Sequence, residues 1–152
     1  MSDSNGPAPV VERVGHFQLD GEAEGFALVL SEPLSFWGGV DVDSGEIIDR
    51  SHPEAGANVA GKILVMPSGR GSSSSASVLA EAIHSGTAPA GILLQRPDPI
   101  LVAGAIVAEF LYGTRLPLAI CDTTGLTTGS YVQVGKRDDG RATIAVGEPR
   151  LS

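Results

Sequence analysis

Residues 70–75 read Arg-Gly-Ser-Ser-Ser-Ser, a cation and a glycine followed by four consecutive hydroxyls. A serine hydroxyl is a poor base in water. It removes a proton only in a dry site where a helix N-terminus or a cation lowers the energy of its alkoxide. Ser72 is the best placed base, and Arg70 is the nearby cation, although Arg70 also reads as a plain surface charge. The first turn of a helix leaves backbone N–H groups unpaired and its dipole favours an anion, so the N–H groups of Gly71 and Ser73 are candidates to hold a substrate carboxylate.

That chemistry needs an ordered frame, because glycine and serine together are also the composition of a flexible linker. The apolar run over 62–66 predicts a buried strand ending at Pro67. After it, Val78, Leu79, Ala82 and Ile83 share one face of a helix predicted over 72–85, with Gly86 at its C-terminal cap. A strand at 91–94 follows, then Asp98 and Pro99 as N-cap and first residue of a helix over 99–112 closed by Gly113. That second helix is apolar almost all round, with Glu109 its one charge, and is expected to be buried against a sheet and against a partner chain.

Further strands are predicted at 16–19 and 24–31, read as an opening hairpin about Asp20-Gly21, and a short one at 46–48. Others are expected at 118–120 and at 131–135 and 142–146, the last two joined by Asp138-Asp139-Gly140, a strong hairpin signal. The expected fold is α/β with several short strands and two main helices. Residues 1–14 read as a loosely ordered tail, 15–147 as one domain and 148–152 as a C-terminal tail. Ser35, Phe36, Trp37, Gly38 and Gly39 group two of the chain's seven aromatics with a double glycine; the loop either plugs the end of a sheet or serves a pocket or subunit interface.

Several classes of function are excluded or disfavoured. The chain's 152 residues carry 18 acidic against 10 basic side chains, a net charge of -8, which removes the attraction for nucleic acid and for anionic lipid. The longest apolar stretch, 100–110, is about half the ~20 residues a membrane span requires, and the N-terminus lacks a secretory pattern, so a cytoplasmic location is expected. A lone Cys121 supplies neither a disulfide nor the thiolates of an iron–sulfur cluster. Met66 stands where a phosphate-binding loop needs its first glycine, and Ser75 where a nucleophile elbow around Ser73 needs its second. Asp41, Asp43 and Gly45 read as a turn, not a calcium loop, and His16, His52 and His84 stand singly as surface or capping residues.

Five segments taken in order carry a resemblance. Pro33-Leu34-Ser35-Phe36-Trp37-Gly38-Gly39-Val40-Asp41, His52-Pro53, Gly61-Lys62-Ile63-Leu64, Gly69-Arg70-Gly71-Ser72-Ser73-Ser74 and Leu79-Ala80-Glu81-Ala82-Ile83 together resemble the aconitase X swivel-domain family from about residue 17 to 146. The resemblance implies a swivelling β/β/α domain, with short mixed strands forming a barrel-like sheet. It also implies the small subunit of a two-chain hydro-lyase, whose large subunit carries the cysteines for an iron–sulfur cluster or iron, none being held by this chain. The serine after Gly-Arg-Gly, Ser72 here, is the implied proton acceptor, and the partner's iron is implied to polarise the departing hydroxyl.

The implied substrates are small hydroxy acids: cis-3-hydroxy-L-proline, favoured by Phe36-Trp37 and the serine run, or mevalonate 5-phosphate. The small subunits of aconitase and isopropylmalate isomerase follow Gly-Ser-Ser with Arg-Glu, whereas Ser74-Ser75 stand here, so a citrate-like clamp is absent. Phosphohistidine chemistry is excluded because no histidine lies between His52 and His84. A non-catalytic scaffold that docks through the second helix and the Phe36-Trp37 loop is the rival of another class.

Overall fold

Two apolar runs, Ile63–Met66 (β3) and Gly91–Leu94 (β4), are buried along their whole length because successive side chains on each strand enter different cores. In this computed structural model, which describes residues 11–70 and 73–149, Ile63, Val65 and Leu93 point into the interior of a barrel. Leu64, Met66, Ile92 and Leu94 point outward into a layer filled by helices. A two-residue period with both faces covered reads as an uninterrupted apolar run.

Parallel neighbours need a crossover, and the helices α2 (Ser74–Ser85) and α3 (Pro99–Tyr112) provide it, leading from β3 to β4 and from β4 to β5 (Leu118–Ile120). The strand β2 (Ala23–Val29) joins the parallel set beside β3. The antiparallel strands β1 (Val11–Leu19), β6 (Ser130–Lys136) and β7 (Ala142–Pro149) complete a barrel, closed among the described residues in the order β1-β5-β4-β3-β2-β6-β7. The short turn α1 (Phe36–Gly39) lies between β2 and β3 and packs on α2.

The mixed barrel-like sheet with two main helices is therefore observed, but three local expectations change. β1 and β2 do not form a hairpin with each other: β1 pairs with β5 and β7, and β2 with β3 and β6. Closure of the barrel draws them to separate places, and Asp20-Gly21 only carries the chain between them. β1 begins at Val11 through its pairing with β7, so residues 11–14 belong to the sheet, not to a tail; likewise β7 runs on to Pro149. The predicted strand at 46–48 is reduced to isolated bridges, Val40 with Ile47 and Glu46 with Asn58.

α3 keeps its predicted bounds. Asp98 caps it by accepting the N–H groups of Ile100 and Leu101 at 3.0 and 3.1 Å, Pro99 follows, and Gly113 ends it. Its burial is one-sided, though. Leu101, Gly104, Ala105 and Ala108 face the core, while Ile106, Val107, Leu111 and Tyr112 are exposed and Phe110 is 87% exposed. A glycine is required at 104 because a Cβ there would stand 2.6 Å from the Ala76 carbonyl oxygen of α2. No helix among the described residues is long and apolar enough to cross a membrane.

Candidate active site at the carboxyl ends of the parallel strands

β2, β3, β4 and β5 run the same way, so the segments that leave their carboxyl ends gather at one end of the barrel. In α/β sheets that end is where ligands bind, since loops and helix N-termini converge there. Hydrogen bonds join these segments in series. Leu34 bridges Gly69 in parallel fashion, and the Arg70 N–H donates to the Leu34 carbonyl at 3.2 Å. The Gln95 N–H donates to Pro67 at 3.1 Å, and its side-chain amide donates to Thr123 Oγ1 at 2.7 Å. Gly69 also lacks room for a side chain, because a Cβ there would collide with Oδ2 of the capping Asp98. The loop after β3 is thereby pressed against the start of α3.

The structure brings Arg70, Ser73 and the Trp37 loop together around the start of α2. Gly71 and Ser72 lie outside the described residues. Ser73 occupies the N-cap position of α2, is exposed, and makes no side-chain capping bond; the helix begins at Ser74, two residues later than predicted. Arg70 is exposed and forms no ion pair with a described carboxylate, although its charge is the smallest of the influences that hold the Asp49 carboxyl below its usual range, the largest being the Ser51 hydroxyl.

In the loop read either as a plug for the end of a sheet or as part of a pocket or subunit interface, the residues divide. Phe36 is fully buried and Gly39 buried, Ser35 is half-buried, and Trp37 and Gly38 are exposed, Trp37 by 60%. Phe36 thus anchors the loop in the helix-side core and leaves the Trp37 indole outside. The φ of +77° at Gly38 gives the turn its shape.

Sequence reasoning missed Arg96, whose guanidinium donates to Ser68 Oγ at 3.1 Å across two of the converging loops, and it missed the Gln95–Thr123 contact. The available signal was position: these residues directly follow an apolar strand at its carboxyl end. An open pocket of about 460 Å3 borders the same end and is lined by His16, Gln95, Cys121 and Asp122 among others. His52, read as a surface or capping residue, is a buried cap: its Nε2 faces the Glu32 carbonyl and its Nδ1 accepts the Glu54 N–H.

The donor set does not fit an iron–sulfur cluster. The described residues contain no group of three or more His, Cys, Asp or Glu able to hold a metal, and burial pushes the Cys121 thiol up to about 11, so it is not a thiolate at neutral pH.

Residues 13–145 match the aconitase X swivel domain. The chain belongs to this family. Over 99 residues, 65% of its length, this aconitase X swivel domain is 54% identical to the cis-3-hydroxy-L-proline dehydratase of Pseudomonas aeruginosa, and the match spans 17% of that enzyme's length. It is 48% identical over 88 residues to the phosphomevalonate dehydratase small subunit of Methanopyrus kandleri, which covers 58% of this chain and 64% of that one. Its fold superposes on the crystal structure of Thermococcus kodakaraensis aconitase X in the holo form with a TM-score of 0.79 and 32% identity, covering 91% of this chain and 99% of that chain.

Proposed function

We propose that this swivel domain is the small subunit of a hydro-lyase that dehydrates cis-3-hydroxy-L-proline, working with a large subunit in the cytoplasm. The observation that carries the reading is the high identity to the Pseudomonas dehydratase. Supporting it are Arg70 and Arg96, neither of which forms an ion pair among the described residues, and the start of α2, which together offer cations and backbone donors to a carboxylate in a chain of net charge -8. In the same proposal any iron or iron–sulfur group belongs to the large subunit.

Ser72 Oγ takes the proton from C2 of the substrate, and the electron pair of that C–H bond becomes the C2–C3 double bond. The C3–O bond breaks with its electron pair on oxygen, and the departing hydroxide leaves as water by taking up a proton equivalent to the one Ser72 removed, which returns Ser72 to its alkoxide. The resulting enamine rearranges to 1-pyrroline-2-carboxylate. The Gly71 and Ser73 N–H groups and the Arg70 guanidinium hold the carboxylate, which keeps C2 within reach of the hydroxyl and stabilises charge that develops beside it.

The test uses the reassembled two-chain enzyme. Ser72→Ala retains assembly while turnover of cis-3-hydroxy-L-proline falls by several orders of magnitude, because a base contributes to the transition state alone. Near-normal turnover removes Ser72 from the mechanism, and a large subunit fully active without this chain leaves a scaffold role instead. The similarity to a small subunit of phosphomevalonate dehydratase supports a second reading, for which mevalonate 5-phosphate is the substrate consumed in the parallel assay.

A further inference from the structure

Among the described residues of the serine run Ser75 is the buried one, with 2% of its surface exposed, and the proposed chemistry leaves its hydroxyl unused. Its Oγ accepts the Trp37 N–H at 3.3 Å and lies 3.1 Å from Ser35 Oγ, which in turn lies 3.1 Å from the Trp37 carbonyl oxygen. Each hydroxyl has one proton to give. Ser35 donates to the carbonyl, so Ser75 donates to Ser35, and the three bonds close a ring that begins at the N–H of Trp37 and ends at its C=O. With φ -74° and ψ 116°, Trp37 is not helical, and the ring satisfies polar groups that the turn itself leaves unpaired.

The ring sits in the first turn of α2, three residues beyond Ser72. On the other side of positions 71 and 72, Gly69 and Arg70 are bonded to Leu34. The described residues that flank the candidate base are therefore fastened at both ends to one segment, 34–37, which Phe36 roots in the core. We propose that Ser75, acting with Ser35, is a positioning residue: the hydroxyl ring locks the Trp37 loop to the first turn of α2 and so holds the described residues from which the candidate base extends. The role rests on the assignment of Ser72 as the base.

A displacement of about 1 Å in a reacting group costs on the order of a hundredfold in rate. In the two-chain enzyme, Ser75→Ala is expected to lower kcat by ten- to a hundredfold with KM little changed, and Ser75→Thr, which keeps a hydroxyl, to recover most of it. Ser35→Ala, at a half-buried position that tolerates the change, lowers kcat less. The double variant is no worse than Ser75→Ala, because both changes open the same ring.

Trp37 is the chain's single tryptophan, so its fluorescence anisotropy and its quenching by acrylamide report the loop directly in the full chain without its partner. Ser75→Ala and Ser35→Ala each lower the anisotropy and raise the quenching. Wild-type kcat together with unchanged Trp37 fluorescence in Ser35→Ala and Ser75→Ala overturns the proposal, as do additive effects of the two changes. If Ser75→Ala does not fold, Ser35→Ala decides by the same two readouts. A Ser72→Ala enzyme that stays active defeats the base assignment instead, and the fluorescence still reports whether the ring holds the loop.

Discussion

The thiol of Cys121, at the end of β5, shows how position governs a single side chain. Burial pushes it up to about 11 from its ordinary 9.0; Arg13 pulls the other way, and Asp122 adds a smaller push upward. Alkylation by iodoacetamide is therefore expected to be slow at pH 8 and to rise with a midpoint near 11; a midpoint near 9 contradicts the burial. The same shift makes the folded chain lose stability as the pH rises from about 9 to 11, because the unfolded chain ionises first. At Asp98 the side chain both caps α3 and packs on Gly69. Asp98→Ala is expected to cost about 1–2 kcal/mol in urea unfolding. The cap was legible from Asp98-Pro99, whereas its contact with Gly69 joins loops that are distant in sequence and was not.

Among the elements, α3 was readable to the residue because Asp98-Pro99 opens it and Gly113 closes it. α2 was less so. Its first turn consists of serines, which carry no apolar periodicity and favour caps as readily as helix, so its described start falls at Ser74 and not at 72. The contact between the two helices depends on Gly104 fitting against the Ala76 backbone. Gly104→Val is expected to force the helices apart at a cost of about 1–3 kcal/mol, measured by thermal or urea unfolding. Phe110 gives the contrasting case on the same helix: it is 87% exposed, so Phe110→Ser should change the stability of the chain by only about 0.5 kcal/mol.

At the scale of the molecule, the barrel interior and the helix layer share strands, and neighbouring residues of β4 serve them separately: Leu93 lies inside the barrel and Leu94 beneath the helices. Leu93→Ala and Leu94→Ala are each expected to destabilise by about 2–5 kcal/mol. Both should shift one cooperative transition seen alike by far-ultraviolet circular dichroism and by Trp37 fluorescence, since neither core is complete without the other. Two separate transitions contradict this.

Local pattern alone determined the α/β class, the buried strands at 62–66 and 91–94, both main helices and the 138–140 hairpin, because apolar periodicity, caps and turn residues act over a few neighbouring positions. It also singled out Ser72 with Arg70 as a place for proton chemistry. Only the tertiary structure decided that β1 and β2 part company to close a barrel, that one stripe of α3 faces outward, and that Ser75 reaches across to Ser35 and Trp37. Those outcomes depend on pairings between residues tens of positions apart. An alternating or apolar pattern states that a face is buried; it does not state which distant segment buries it.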